Sequence, residues 1–119
     1  MYGGGRDRWD GYPKERAELL RFIKQNDIHG VVFLSADLHC AAVTKIPGGN
    51  GLKDITAGPL AGPVNRVTDG SAARFEYFSA ETFNFAKVTV DPNLNPAHAV
   101  VEFFDQDNQL MHRTKINGS

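Results

Sequence analysis

The stretch VVFLSADLHCAA, residues 31–42, is the most informative part of this sequence of 119 residues. It starts as a short run of apolar and β-branched residues, which is typical of a buried strand. Without a Gly or Pro turn, the run then breaks into Asp37 and His39. The segment from Gly30 to Ala36 is apolar on both faces, so we expect a strand that is covered on both sides. The end of this strand presents a carboxylate and an imidazole.

The residues before this strand predict a helix over positions 13–25. Pro13 suits the first helical position, Glu15 falls in the first turn, and apolar residues recur at helical spacing between Leu19 and Ile23. We expect the helix to stop near Asn26 and Asp27, because Asn can adopt the left-handed conformation of a C-cap. A helix followed by a buried strand implies a layer of helix on sheet.

After residue 40 the pattern predicts only strands. Apolar and polar residues alternate, and DQDN at 105–108 is typical of a hairpin turn. We therefore predict an α+β fold, in which one N-terminal helix packs on a mainly antiparallel β-sheet of five to seven strands. The strand segments are AAVTKI (41–46), LKDITA (52–57), ARFEYF (73–78), TFNFAKVTVD (82–91), AHAVVEFFD (97–105) and QLMHRTKI (109–116).

Two segments lack any periodicity. Residues 1–11, MYGGGRDRWDG, predict a flexible Gly-rich start, and residues 58–73, GPLAGPVNRVTDGSAA, predict a long loop. A long loop in a compact domain is usually functional or mobile. With 41% hydrophobic residues, the chain 1–119 is expected to form a single small domain.

Composition narrows the classes of partner. The 13 basic and 14 acidic residues give a formal charge of −1, so bulk charge predicts no binding to nucleic acid or to an anionic membrane. The single Cys40 excludes an internal disulfide framework. No apolar stretch approaches the roughly 18 residues of a membrane span, and none resembles a signal peptide. As it stands, the chain is expected to be cytoplasmic.

Asp37 and His39 are the main candidates for chemistry. If the extended geometry continues to position 39, both side chains point to the same face. Carboxylate and imidazole are ligands for zinc, manganese and iron, and strand ends are where α/β sheets usually bind ligands. The alternative is a partly exposed strand end with a hydrogen-bonded Asp. Cys40 would point to the opposite face, so we expect a buried small hydrophobe there and no third ligand.

The remaining candidates have simpler interpretations. His29 follows the helix and is placed to complement its C-terminus. His98 and His112 lie in late strands, where they are expected to face solvent or to be hydrogen-bonded. Arg66, in the long loop, is a candidate for contacting an anionic substrate, with a solvated loop arginine as the alternative. No Ser-His-Asp order, phosphate-binding Gly-rich loop or C-x-x-C motif occurs.

Five segments together resemble the C-terminal part of the PhoD-like family, the alkaline phosphatase D type of metallophosphoesterase. The most specific features are W-x-G-Y-P-x-x-R, which begins at Trp9, and SADLH at 35–39, which resembles the family's strand end S-G-D-x-H. The resemblance covers nearly the whole chain, in order. The segments are WDGYPKERAELLRFI (9–23), VVFLSADLHCAA (31–42), DITAGPLAG (54–62), TFNFAKVTVD (82–91) and AVVEFFDQDNQLM (99–111).

The resemblance implies a partial calcineurin-like metallophosphoesterase fold and a metal-dependent hydrolase of phosphoesters. In this family a metal pair activates a water or oxide that attacks phosphorus in phosphomonoesters or phosphodiesters. Asp37 and His39 match the family's last metal-binding motif, so the resemblance makes them the metal ligands and catalytic residues. A divalent ion is implied as cofactor, with zinc as first choice and manganese, iron or calcium as alternatives.

Two departures from the family pattern shape the expectations. Ala36 stands where the motif has Gly, and the family's earlier motifs have no counterpart before Trp9. One Asp and one His cannot complete a tetrahedral zinc site or a metal pair about 3.5–4 Å apart. We therefore expect a homodimer or higher homo-oligomer that rebuilds the site between identical subunits and hydrolyses activated phosphodiesters, phosphotriesters or monoesters.

Two alternatives stay open. In the first alternative, the chain is a non-catalytic fragment or subunit that packs against a separate chain carrying the missing motifs. In the second alternative, the chain is a small-molecule-binding or phosphate-binding module that uses the 58–73 loop and Arg66.

Overall fold

A computed structural model describes residues 9–66 and 68–118. A short 3-10 helix, Trp9–Gly11, precedes helix α1, Pro13–Gln25. Seven strands follow. Their bounds are β1 Val32–Ser35, β2 Ala41–Lys45, β3 Lys53–Thr56, β4 Phe75–Ser79, β5 Asn84–Asp91, β6 His98–Asp105 and β7 Leu110–Asn117. Most of the predicted flexible start lies outside the described residues, and its last three residues form the 3-10 helix. No helix in the described ranges is long and apolar enough to cross a bilayer.

The strands form two sheets where the sequence predicted one. The first sheet has the order β1-β3-β2-β4, in which only the β1–β3 pair is parallel, and the second is the antiparallel meander β5-β6-β7. The fold is therefore α+β, with seven mainly antiparallel strands. Alternation shows which face of a strand is apolar, but it does not show which sheet the strand joins.

The two sheets pack face to face, and the core lies between them. Buried residues of the four-stranded sheet, among them Val43 and Ile55, meet Val101 and Phe103 of the three-stranded sheet. Sheet faces that bury apolar residues against each other in this way form the common sandwich arrangement. At one edge the sandwich is closed by the Tyr77 ring, which lies 5.5 Å from the Phe103 ring.

Helix α1 has the bounds that the sequence predicts, but it packs less closely than expected. Ile23 is its one buried residue, while Phe22 is 55% exposed. The described sheets therefore cover only part of its apolar face. The helix also ends differently from the prediction, because the left-handed residue is Asp27 (φ 52°) and Asn26 stays at φ −97°. The Asn26 side-chain amide instead donates to the Phe22 carbonyl at 2.9 Å.

Strand β1 is an edge strand and is not covered on both sides as predicted. Among the strands of the described ranges it pairs only with β3, and Leu34 is 63% exposed. Leu34 lies in register with the core residue Ile55, so its side chain points to the face that packs on the three-stranded sheet. Its exposure shows that the three-stranded sheet does not reach the β1 edge. No described strand thus pairs with the outer edge of β1, which lies beside an apolar residue.

Candidate functional site

The turn at residues 36–40 sets the geometry of Asp37 and His39. β1 ends at Ser35, and both residues have left-handed backbones, with φ of 68° for Asp37 and 56° for His39. The expectation that extended geometry continues to position 39 is therefore wrong, and strand alternation does not orient these side chains. Asp and His are among the residues that tolerate the left-handed region best. Strained backbone of this kind often occurs at functional sites.

The imidazole of His39 is oriented by a backbone carbonyl. Its Nδ1 lies 2.5 Å from the carbonyl oxygen of Pro63. A carbonyl only accepts, so Nδ1 carries the proton and donates. In the neutral ring this leaves the lone pair on Nε2, which makes no hydrogen bond with any residue of 9–66 or 68–118. A metal-binding histidine characteristically donates its other ring N–H to a carbonyl or carboxylate in the same way.

The carboxylate of Asp37 is exposed, and no other described side chain or backbone group bonds to it. The alternative of a hydrogen-bonded Asp at a strand end is therefore wrong for the described residues. A second Asp-x-His occurs ten residues earlier, where the Nε2 of His29 lies 3.1 Å from an Asp27 carboxylate oxygen. That first pair is an internal ion pair or hydrogen bond. The second pair leaves a carboxylate and a ring nitrogen available to a ligand.

The loop between β3 and β4 holds this turn in place through Asn65. The Asn65 backbone N–H donates to the His39 carbonyl at 2.8 Å, and its side-chain amide donates to the Leu38 carbonyl at 2.9 Å. A further bond from the same amide reaches the Thr68 hydroxyl at 2.9 Å. Asn65 therefore bridges the loop and the turn. The sequence analysis missed it, although an Asn among Gly and Pro is a typical residue of structured turns.

The start of the same loop is held by Asn84, at the first position of β5. Asn84 is 1% exposed, and its side chain bonds both backbone groups of Gly58. Its backbone N–H donates to the Pro59 carbonyl at 3.0 Å. These bonds connect the three-stranded sheet to the loop that orients His39. No sequence signal pointed to this position, because the alternation of Phe83 and Phe85 places Asn84 on the polar face of the strand, whereas the structure buries it.

The other residues that the sequence analysis considered have surroundings different from those of Asp37 and His39. Cys40 is 1% exposed, as expected for a buried small hydrophobe. The Nδ1 of His98 lies 3.1 Å from the Pro96 carbonyl oxygen. His112 does not face solvent freely, because its ring stacks on Tyr77 at 4.0 Å between centroids. Burial lowers the pKa of His112, and the nearby Glu76 carboxylate opposes this shift in part.

Arg66 lies in the loop that holds His39. It lines an open cavity of about 420 Å³, together with residues of the segment before β5. Within 9–66 and 68–118, no group of three or more His, Cys, Asp and Glu side chains has the arrangement to hold a metal ion. Asp37 and His39 are two side chains of metal-ligating type, and the described part of one chain brings no third one into a group with them.

Comparison with known proteins agrees with the resemblance. The family model described as PhoD-like phosphatase matches residues 3–95. A segment of 35 residues is 43% identical to alkaline phosphatase D of Bacillus subtilis (strain 168), which corresponds to 29% of this chain and 6% of that protein. The match therefore spans only a small part of the relative. No solved structure matches the chain significantly.

Proposed function

Because the chain belongs to the PhoD-like phosphatase family, we propose that it acts in metal-dependent hydrolysis of phosphoesters, with Asp37 and His39 as metal ligands. The observation that carries the proposal is the bond from His39 Nδ1–H to the Pro63 carbonyl. It fixes the tautomer whose Nε2 lone pair is available to a metal. The exposed Asp37 carboxylate supplies an oxygen donor two residues away.

The donor set suits a borderline divalent ion. One carboxylate and one imidazole nitrogen favour zinc, with manganese and iron as alternatives, whereas calcium prefers oxygen ligands alone. When bound, such an ion acidifies a coordinated water towards neutral pH and stabilises negative charge on a phosphoryl oxygen. The chain's own contribution is to hold His39 Nε2 in a fixed direction and to present the exposed Asp37 carboxylate two residues away. Arg66, in the same loop, is proposed to contact the anionic substrate.

The other ligands must come from outside the described residues, and we propose a second copy of this chain as their source. The structure limits the arrangement of such a homodimer. Two copies that pair through the free edge of β1 about a two-fold axis run antiparallel. If Leu34 then pairs with Leu34 of the partner subunit, the two Asp37 residues lie about six positions apart along the strands, or roughly 20 Å. A shared metal site therefore needs the axis beside the 36–40 turn.

Cysteine crosslinking distinguishes these two arrangements. Ala36 is exposed and borders Asp37, so Ala36→Cys forms an interchain disulfide when the axis passes beside the turn. Leu34→Cys forms one when the two β1 edges pair. Crosslinking through position 36 that strengthens with added zinc supports the shared site. Crosslinking through position 34 alone contradicts it.

The second candidate source of the missing ligands is a separate chain that carries the missing motifs. In that case this chain is a non-catalytic subunit. The absence of a third ligand among the described residues favours it. Mass in solution and elemental analysis separate the two candidates. A dimer with about half an ion or one ion per chain supports self-association, and a monomer without bound metal supports the separate chain.

The activity test compares double variants of the two Asp-x-His pairs. The double variant Asp37→Ala/His39→Ala is expected to lose bound zinc and any hydrolysis of bis(4-nitrophenyl) phosphate. The matched variant Asp27→Ala/His29→Ala removes the same two residue types from the internally paired site, so it should keep both. Equal zinc content and equal activity in the two double variants would disprove the assignment.

A further inference from the structure

The sequence contains two Asn-Gly pairs, Asn50-Gly51 and Asn117-Gly118. In such a pair the backbone nitrogen of Gly can attack the side-chain carbonyl carbon of Asn, because Gly has no side chain to hinder the approach. Both asparagines are exposed, and both line an open cavity of about 560 Å³ between the end of α1, the β2–β3 turn and the end of β7. Solvent therefore reaches both pairs, and the backbone around each Gly decides how they differ.

Asn50-Gly51 lies in the turn between β2 and β3, where both reacting groups are free. The turn is closed by bonds from Leu52 N–H to the Gly49 carbonyl at 3.1 Å and from Ile46 N–H to the Leu52 carbonyl at 3.0 Å. Neither the Gly51 N–H nor the Asn50 side-chain amide bonds to another part of the described chain. A Cβ added to Gly51 would have no atom of a non-adjacent described residue within 4 Å. The nitrogen can therefore approach the side chain without breaking a hydrogen bond.

Asn117-Gly118 has the same chemistry but a restrained nitrogen. The Gly118 N–H donates to the Ala97 carbonyl at 2.9 Å. Asn117 is the last residue of β7 and lies in register with His98 of β6. The backbone is also closely packed here, because a Cβ added to Gly118 would lie 2.8 Å from the same Ala97 oxygen. Attack by this nitrogen requires that the hydrogen bond breaks and the strand end moves away from Ala97.

We propose that Asn50 is a site of spontaneous deamidation and that the fold protects Asn117 from the same reaction. The Gly51 nitrogen gives its proton to hydroxide and forms a bond to the side-chain carbonyl carbon of Asn50. The bond from this carbon to the amide nitrogen breaks, and the amide leaves as ammonia with a proton from water. Water then opens the cyclic imide at either carbonyl, which leaves aspartate or isoaspartate at position 50. Neither step involves oxidation, a metal, or the proposed ligands Asp37 and His39.

The two products affect the turn differently. Aspartate keeps the main chain unchanged, and Asp tolerates the left-handed region that Asn50 occupies at φ 50°. Isoaspartate instead adds one carbon to the main chain, inside the turn that the Leu52 N–H closes. Either product places a carboxylate in a cavity lined by Lys24 and Lys115, neither of which forms an ion pair with another described residue. We therefore expect aspartate to be tolerated and isoaspartate to weaken the β2–β3 hairpin.

The test follows both pairs in the same sample. The folded chain is incubated at mildly alkaline pH, and trypsin then releases the two asparagines in separate peptides, IPGGNGLK (46–53) and INGS (116–119). Mass spectrometry measures the conversion of amide to acid in each peptide. Asn50 should convert at least fivefold faster than Asn117. Equal rates, or faster conversion of Asn117, would overturn the proposal.

Incubation in concentrated urea shows whether the fold causes the difference. Unfolding frees the Gly118 nitrogen, so the two rates should come within about threefold of each other. A difference that persists in full in urea would assign it to the neighbouring residues in the chain and would overturn the protection of Asn117. Amide hydrogen exchange of the folded chain gives an independent measure. The Gly51 amide should exchange at least tenfold faster than the Gly118 amide, and equal exchange would contradict the restraint.

Variants identify the site and its products. The incubated chain should yield a more acidic species on ion exchange, which Asn50→Gln should abolish and the matched control Asn117→Gln should keep. An acidic species that survives in Asn50→Gln would overturn the assignment. Asn50→Asp should unfold at the same urea concentration as the fresh chain, whereas the isolated isoaspartate form should unfold at a lower one. Equal unfolding of the two forms would contradict the weakening assigned to isoaspartate.

Discussion

Replacing Asn84 by Ala should destabilise the fold and loosen the loop that orients His39. The Asn84 side chain accepts from the Gly58 N–H at 2.9 Å and donates to the Gly58 and Thr82 carbonyls at 2.7 and 3.2 Å. Because Asn84 is 1% exposed, water cannot easily replace these three bonds. At about 1 kcal/mol for each lost bond, the free energy of unfolding should fall by about 3 kcal/mol.

The measurement is urea unfolding followed by circular dichroism. An unchanged dependence of the unfolding free energy on urea concentration checks that unfolding stays two-state. Asn117→Ala is the matched control, because Asn117 is exposed at the end of β7, and it should change stability by less than about 0.5 kcal/mol. In the Asn84 variant, the His39 Nδ1 proton should also exchange faster with solvent. A loss below about 1 kcal/mol would show that Asn84 does not hold the loop.

Asn84→Asp adds a pH test of the same bonds. The carboxylate keeps the acceptor for Gly58 N–H but places negative charge against two carbonyl oxygens, so its folded pKa should rise above the unfolded value of about 3.9. Stability from the protonated form is then present at low pH and is lost as pH rises through the folded pKa. Relative to Asn84→Ala, the Asp variant should therefore improve on acidification. No relative improvement would refute the bond assignment.

Two further predictions concern the turn and the sheet contact. Asp37→Gly should leave the free energy of unfolding in urea unchanged or raise it by up to about 1 kcal/mol, because Gly adopts φ 68° without strain. The same variant should lose zinc binding. A marked loss of stability would contradict this prediction. Burial lowers the pKa of His112 beside Tyr77, so its neutral form contributes stability that is present above about pH 6.5 and is lost as pH falls through the folded pKa. His112→Phe should therefore flatten the pH dependence of the free energy of unfolding between pH 7 and 5, and an unchanged dependence would contradict this.

Local structure was largely predictable because it depends on neighbouring residues. The bounds of α1 follow from Pro13 and the apolar spacing after it, and every predicted strand segment overlaps an observed strand. The hairpin turn at 105–108 also follows from short-range chemistry, since the Asp105 side chain accepts from the backbone N–H of Asp107 and Gln109. Such bonds span only a few residues, so the sequence pattern records them directly.

The pairing of strands and the exposure of β1 were not predictable in this way. Whether Leu34 is covered depends on how far the three-stranded sheet extends, which is set by contacts among residues more than fifty positions away. The same limit explains why Asp27-x-His29 and Asp37-x-His39 look alike in the sequence. In the first pair the ring bonds its own neighbouring carboxylate, and in the second it bonds Pro63.

The sequence by itself determined the residue types at the end of β1 and, through its motifs, the family to which the chain belongs. Only the tertiary structure decided what those residues can do. The Pro63 carbonyl lies 24 positions from His39 in the chain and reaches it because Asn65 and Asn84 hold the intervening loop. Ligand identity is a local property of the side chain. The direction of its lone pair is fixed by a partner that only folding brings within hydrogen-bonding distance.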